Sequence, residues 1–321
     1  MSLLTNVATD TTSTSNAKLL KNAPNTTIEP SASTEMKTRD DVATKPSTQA
    51  LPQIVNIWDT NMVDAMRKIE DIIEKYPYIA LDTEFPGIVA RPRDAFKHWL
   101  GYAYRSVAIN VNMLKLIQLG LTFYNEKGET PTPHSTYQFN FKFNIERDMF
   151  SRDSIQLLIK SGIDFDKLNK HGIRHEKFAE IITMSGLVLN EDVRWICFHG
   201  SYDFAYLIKI LCSRPLKDTN PNDFFYFLSK YFPYIYDVKV LLRNVHCIKG
   251  GGLQKLANTL NVKRIGMNHQ AGSDSLLTGN VFFKLRELYF EQLMDEKKYL
   301  NTLYGLGNKE FIQQHNNWYF H

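Results

Sequence analysis

Tyr78-Ile79-Ala80-Leu81-Asp82-Thr83-Glu84-Phe85-Pro86-Gly87 is an apolar, strand-like run that ends in two carboxylates two residues apart. Alternate side chains of a strand share a face, so Asp82 and Glu84 project together from one edge of a sheet. Side by side they repel each other and are costly to desolvate unless a cation lies between them, so the pair reads as half of a hard-metal site. Two more acids follow in promising contexts. Asp203 stands in Phe198-His199-Gly200-Ser201-Tyr202-Asp203-Phe204, and Asp274 in His269-Gln270-Ala271-Gly272-Ser273-Asp274-Ser275, with His269 five residues upstream.

Working outward from this strand, Met62, Met66, Ile69 and Ile73 recur at helical spacing and predict an amphipathic helix ending near Lys75-Tyr76-Pro77. Residues Arg91 to Val111 read as a polar and aromatic connection. Leu114 to Phe123 read as a buried strand, and Asn125 to Glu129 as a turn. In Tyr137 to Asn144 apolar and polar residues alternate strictly, which predicts the second arm of a hairpin with one buried face. Helices are expected around Ser154 to Ser161, Glu176 to Ser185, Ser201 to Leu211, Asp223 to Tyr231 and Leu253 to Leu260, with a long one from Ala271 toward Leu293. Val193 to Phe198 is a central strand and Tyr234-Ile235-Tyr236 a candidate fifth. Antiparallel strands followed by strands alternating with helices give an α/β fold, a mixed sheet covered on both faces.

The 321 residues are 43% hydrophobic, enough to bury a sizeable core. No stretch approaches the run of about 18 apolar residues that spans a membrane. Cys197, Cys212 and Cys247 have no Cys-x-x-Cys spacing, which argues against a zinc cluster or a disulfide framework and suits a reducing compartment, cytosol or nucleus. A net charge of +4 is too small to identify a nucleic-acid binder unaided. Residues 1–51 form a Ser/Thr-rich leader: the first 50 hold 17 Ser or Thr and no aromatic residue, a composition that does not offset chain entropy and predicts disorder. The organisation expected is that leader, one domain over 52–307, and a tail over 308–321.

Asp82 and Glu84 leave a strand, Asp203 falls in the opening turn of a helix and Asp274 on the last long helix, positions where α/β proteins place their chemistry. Four oxygen ligands without cysteine favour Mg²⁺ or Mn²⁺, and two such ions about 4 Å apart suit in-line hydrolysis of a phosphodiester. Five steps of a continuous helix turn about 140°, so His269 belongs to the loop before the helix that carries Asp274. From there it is positioned to take a proton from an attacking water. Each group alone has a plainer reading: a solvated strand end for Asp82 and Glu84, a helix-start acid for Asp203, a cap for Asp274, a surface or core imidazole for His269. Their order and contexts together favour the site.

Beyond these residues, the chain resembles a known family. Leu81 to Gly87 followed by Val89-Ala90-Arg91-Pro92, Ile117 to Phe123, Gln138 to Phe143, Tyr202-Asp203-Phe204, Tyr206 to Lys209, Gly251 to Gln254, His269 to Gly279 and Tyr304 to Gly307 are similar to the blocks of the Caf-one (Pop-two) deadenylases. The resemblance covers about residues 52 to 307. It implies a DEDD exonuclease with an RNase H-like fold and two bound divalent metals. The implied activity is removal of mRNA poly(A) tails from the 3′ end with release of 5′-AMP. It assigns metal binding to Asp82, Glu84, Asp203 and Asp274 and the catalytic histidine to His269. It also implies assembly into a CCR-NOT type complex, between a helical-repeat scaffold and a second nuclease bearing leucine-rich repeats. His199-Gly200-Ser201 departs from the family's usual His-Ser-Gly. Phe85, His199 and Tyr202 are the candidates for contact with single-stranded RNA; the plainer reading of Phe85 is a core residue, and of Lys209 a solvated helix face. Phe224 to Phe227 and Tyr231 to Pro233 suit docking, with core packing the preferred reading. Two alternatives stay open: a DEDD exonuclease of other specificity, and an adaptor that bridges the scaffold to the second nuclease.

Overall fold

In a computed structural model, residues 54–93, 96, 99–248, 250–290 and 296–308 are described. The predicted leader, and the tail beyond 308, lie outside them. The elements in chain order are β1 (Ile54–Ile57), α1 (Met62–Ile73), β2 (Tyr78–Glu84), α2 (Trp99–Met113), β3 (Gln118–Tyr124), β4 (Thr136–Asn140), α3 (Arg152–Lys160), α4 (Phe165–His171), α5 (His175–Met184), β5 (Arg194–Cys197), α6 (Ser201–Leu211), α7 (Pro221–Tyr231), β6 (Ile235–Asp237), α8 (Val238–Leu241), α9 (Leu253–Thr259) and α10 (Ala271–Tyr289).

The strands form one mixed sheet in the order β1-β4-β3-β2-β5-β6. β2, β3 and β4 are antiparallel, β5 and β6 run parallel to β2, and β1 runs parallel to β4. β2 is therefore the switch point. It pairs with β3 along its whole length, from Tyr78 opposite Tyr124 to Glu84 opposite Gln118, but with β5 only over Tyr78–Ala80. Its end beyond Ala80, which carries Asp82 and Glu84, extends past the β5 pairing at the switch point, where open α/β sheets place their ligands.

Both faces are covered. Ile79, Leu81, Leu121, Phe123 and Phe139 pack against α1, α2, α5, α6 and α7, whereas Ala80, Ile196 and Tyr236 pack against α9 and α10. The mixed sheet covered on both faces is the one the sequence pattern predicts, and it agrees with the RNase H-like fold that the resemblance implies.

Several local expectations need correction. The connection over Arg91 to Val111 contains α2, whose buried Tyr104, Val107, Ala108 and Val111 keep helical spacing among aromatic and polar neighbours. β1 and α4 were not foreseen, so Tyr234 to Tyr236 marks a sixth strand. β3 begins at Gln118, four residues later than expected, and β4 ends at Asn140, four residues early. The polar residues of β4 do not face water. Thr136, Gln138 and Asn140 are buried under α10, because they hydrogen bond to one another's neighbours and to that helix.

Candidate metal centre

α10 comes unusually close to the sheet, and that approach sets the site. A Cβ on Gly120 would sit 1.9 Å from the carbonyl oxygen of Ala271, so only glycine lets the helix start there. The sheet then supplies what the helix start lacks. Side-chain carbonyls of Gln118 and Gln138 accept the free N–H groups of Ala271 and Gly272, at 3.3 and 2.8 Å. Gln270 ties the two strands together, its Oε1 accepting from Gln118 Nε2 at 3.2 Å and from Gln138 Nε2 at 2.9 Å. This polar layer fixes the first turn of α10, which carries Asp274, over β2.

His269 precedes α10 in a left-handed conformation (φ 58°), outside the helix as its spacing from Asp274 requires. Its backbone N–H donates to Asp274 Oδ2 at 3.0 Å. One carboxylate oxygen of Glu84, one of Asp274 and a ring nitrogen of His269 lie within 4.8 Å of one another. Asp82 and Glu84 lie on the α10 side of β2. Thr83, on the opposite face, donates its hydroxyl to Asp203 Oδ1 at 2.5 Å, which draws the first turn of α6 up to the strand end. Glu84, Asp274 and His269 thus make the close cluster, and Asp82 and Asp203 stand beside it, near enough for the acids to repel one another.

All four are buried, and their oxygens are not equivalent. Arg264 Nη1 pairs with Asp274 Oδ1 at 2.6 Å while the same guanidinium is held by Gln254 and Ser273. Asp82 Oδ2 and Glu84 Oε1 have no hydrogen-bond partner. Burial, reinforced by repulsion from Asp274 and Asp203, pushes Glu84 up to about 8 against the pull of Arg264, and raises Asp82 for the same reasons. Burial also raises Asp203, to about 6, with Thr83 opposing. Buried orphan carboxylate oxygens in an all-oxygen set beside one imidazole are what a hard divalent cation would satisfy, so the residues fit such an ion. Burial lowers the basicity of His269, with Asp274 opposing.

The loop that begins α6 is held by a residue the sequence reading passed over. Asp237, fully buried at the end of β6, accepts backbone N–H groups from His199 (2.9 Å), Lys239 (3.0 Å), Gly200 (3.3 Å) and Tyr304 (2.9 Å). It clamps three chain segments behind Asp203. The only signal in the sequence is an acid after a short apolar strand, which reads as an ordinary helix cap. The order His199-Gly200-Ser201 fits this surrounding: a Cβ at Gly200 would lie 2.5 Å from Cys197 Sγ, and Ser201 Oγ donates to Tyr304 O at 2.8 Å.

Of the candidates for RNA contact, Phe85 is half-buried, with its ring stacked on Tyr202 at 5.2 Å and tilted against Tyr206. Tyr202 is buried behind it, which leaves Phe85 the more open ring. His199 meets Tyr304 edge-on at 5.0 Å. Lys209 does not decorate a solvated face. Its ammonium donates to the carbonyls of Val111, Asn112 and Leu114 and so closes the end of α2. Phe224, Phe225 and Phe232 are core, and Tyr226 points outward.

Residues 57–185 match the model of the CAF1 family ribonucleases. The chain is 46% identical over 271 residues to the poly(A) ribonuclease pop2 of Schizosaccharomyces pombe, spanning 84% of this chain and 80% of that protein. Its fold is similar to the structure of S. pombe Pop2p in its Mg²⁺ and Mn²⁺ bound form, with a TM-score of 0.76 and 47% identity over 79% of this chain and 99% of that one. It is also similar to yeast CAF1 co-crystallised with the NOT1 MIF4G domain, with a TM-score of 0.66 and 29% identity over 77% of this chain and 95% of that one.

Proposed function

The chain belongs to the CAF1 family of ribonucleases, and on that premise we propose that it shortens mRNA poly(A) tails from the 3′ end, releasing 5′-AMP, with two divalent metal ions bound by Asp82, Glu84, Asp203 and Asp274. The observation that carries this reading is the pair of buried oxygens without partners, Asp82 Oδ2 and Glu84 Oε1, at the end of β2 beside two further acids. Mg²⁺ or Mn²⁺ is the expected occupant, and S. pombe Pop2p, a relative of this chain, has been seen with both. When bound, such ions supply an activated water and stabilise the leaving oxygen.

The chain's own residues do the rest. Asp82 and Glu84 are held at fixed spacing by the β2–β3 ladder, Asp203 by Thr83, and Asp274 by Arg264 and the His269 amide. His269 stays neutral near pH 7 because burial opposes its charged form, so its imidazole is free to accept a proton. Phe85, half-buried next to Glu84, offers a face for the terminal base.

The likeness to CAF1 bound to the NOT1 MIF4G domain supports a helical scaffold subunit of a CCR-NOT type complex as partner. A leucine-rich-repeat nuclease as second partner, and a cytoplasmic or nuclear place of action, complete the proposal. No helix among the described residues is long and apolar enough to cross a membrane.

The test is a time course on 5′-labelled RNA ending in an A tract, beside the same RNA ending in mixed sequence, with Mg²⁺ or Mn²⁺ and with chelator. A metal-dependent ladder that stops where the A tract ends, and is lost in Asp82→Ala, is expected. Equal shortening of both RNAs would remove the specificity and keep the chemistry. No cleavage with either metal would favour the adaptor role.

A further inference from the structure

Two stacked aromatic pairs lie on neighbouring elements, one beside the acids and one ending in solvent. Phe85 follows Glu84 in the chain and Tyr202 precedes Asp203, and these two rings stack with planes 18° apart. Behind them, the Ser106 side chain of α2 hydrogen bonds to the Tyr202 phenol. Trp99, Tyr102 and Ser106 stand three and four residues apart on α2 and so share one helix face. Trp99 stacks on Tyr102 with centroids 5.3 Å apart and planes 29° apart, and Phe96 meets Tyr102 edge-on at 5.7 Å. Trp99 is the most open of these rings, 70% exposed, and Phe85 is half-buried beside the acids. Each is backed by a tyrosine, Phe85 by the buried Tyr202 and Trp99 by the half-buried Tyr102.

A single exposed tryptophan needs no explanation. This one stacks on Tyr102 of the helix whose Ser106 holds Tyr202, and Tyr202 stacks on Phe85 beside two of the acids. Charge accompanies it. Asn110 of α2 accepts the N–H groups of Val89 and Ala90 at 2.8 and 2.9 Å and donates to Ala90 O at 2.8 Å, so the segment leaving Phe85 is pinned to the same helix. That segment continues into Arg91 and Arg93, both exposed. Aromatic faces combined with basic residues are how single-stranded nucleic acid is held without base-edge readout.

We propose that Trp99 receives a nucleobase of single-stranded RNA upstream of the 3′-terminal nucleotide, as the second step of a stacking track that begins at Phe85. The inference rests on the proposed exonuclease reading and adds a subsite to it. Such a subsite favours a tail long enough to reach Trp99 over a short one.

Two readouts separate the track from the activity. The first is anisotropy of fluorescein-labelled A-tract RNA on the full chain carrying Asp82→Ala, with and without Trp99→Ala. The second is steady-state cleavage by the chain with native acids, on the long RNA and on the dinucleotide ApA. Trp99→Ala is expected to weaken binding at least about fivefold, the low end for one base stacked on an aromatic ring. On the long RNA it raises KM by a similar factor with kcat within about twofold, and it leaves ApA unchanged. Trp99→Phe retains most of the affinity. On RNA with abasic sugars upstream of the terminal adenosine, Trp99→Ala costs nothing further. Unchanged affinity in Trp99→Ala, or an equal loss on the abasic RNA, overturns the track. If cleavage is normal while affinity and KM ignore Trp99, the exonuclease reading stands and the ring belongs to a protein partner. A chain that binds RNA through Trp99 but cleaves with neither metal overturns the proposed function and leaves the track standing.

Discussion

Asp82 and Glu84 each keep a buried oxygen that no donor reaches, while Asp203 and Asp274 have theirs engaged by Thr83, Arg264 and the His269 amide. The uncompensated pair is where burial costs most, so in the metal-free chain Glu84 holds a proton near neutral pH. Glu84→Gln removes that titration without removing volume. The metal-free variant should melt higher than the native chain at pH 8, while metal-dependent cleavage falls by at least about a hundredfold; thermal melts with chelator and single-turnover cleavage check the two halves. An unchanged melting temperature would mean that Glu84 is not under the repulsion described. The acids themselves were legible in the sequence because Asp-x-Glu ends an apolar run and because His269 and Asp274 keep a spacing that a continuous helix does not permit on one face. Asp237 and Arg264 were not. Their meaning lies in what they touch across long stretches of chain, Asp237 at His199 and Tyr304, Arg264 at Asp274, and no local pattern marks it.

Between elements, the start of α10 is positioned by buried glutamines rather than by apolar packing, and Gly120 makes room for it. Gly120→Ala should push α10 off the sheet, costing about 3 kcal/mol in urea unfolding, as overpacking of a close contact does, and weakening Mn²⁺ binding together with stability. Retained metal affinity would show that Asp274 does not depend on this contact. Asp237→Ala should leave four backbone N–H groups without their acceptor and cost about 3 kcal/mol or more, with cleavage lost in the fraction that still folds. Here the sequence was read correctly where period and burial agree, as at α1, α6 and β2. It misled at β4, whose alternating Thr136, Gln138 and Asn140 look solvent-facing yet lie beneath a helix. It also misled at α2, where aromatic and polar residues mask a helical stripe that ends on buried Val107 and Val111.

Across the whole molecule, the acids couple metal, pH and stability. Glu84 at about 8 and Asp203 at about 6 are raised above their ordinary values, so the folded metal-free chain binds protons that the unfolded chain does not. Their contribution is present below the unfolded values and lost as pH rises through the folded ones. His175 and His199, both pushed down to about 4 chiefly by burial, act in the opposite sense, but only up to about pH 6.5, so the window from pH 7 to 8 reports the raised carboxylates Glu84 and Asp82. Over that window the metal-free melting temperature should fall. The rise produced by saturating Mn²⁺ should grow, and calorimetry in buffers of different ionisation enthalpy should find protons released on metal binding near pH 7. A metal-induced shift independent of pH would contradict the coupling. The measurement that bears most directly on the central claim is an anomalous difference map from crystals grown with Mn²⁺. The account predicts two peaks roughly 4 Å apart, bounded by Asp82, Glu84, Asp203 and Asp274, as two-metal phosphodiester hydrolysis requires; no peak among these acids, or an ion bound elsewhere that leaves Asp82 and Glu84 untouched, would contradict it.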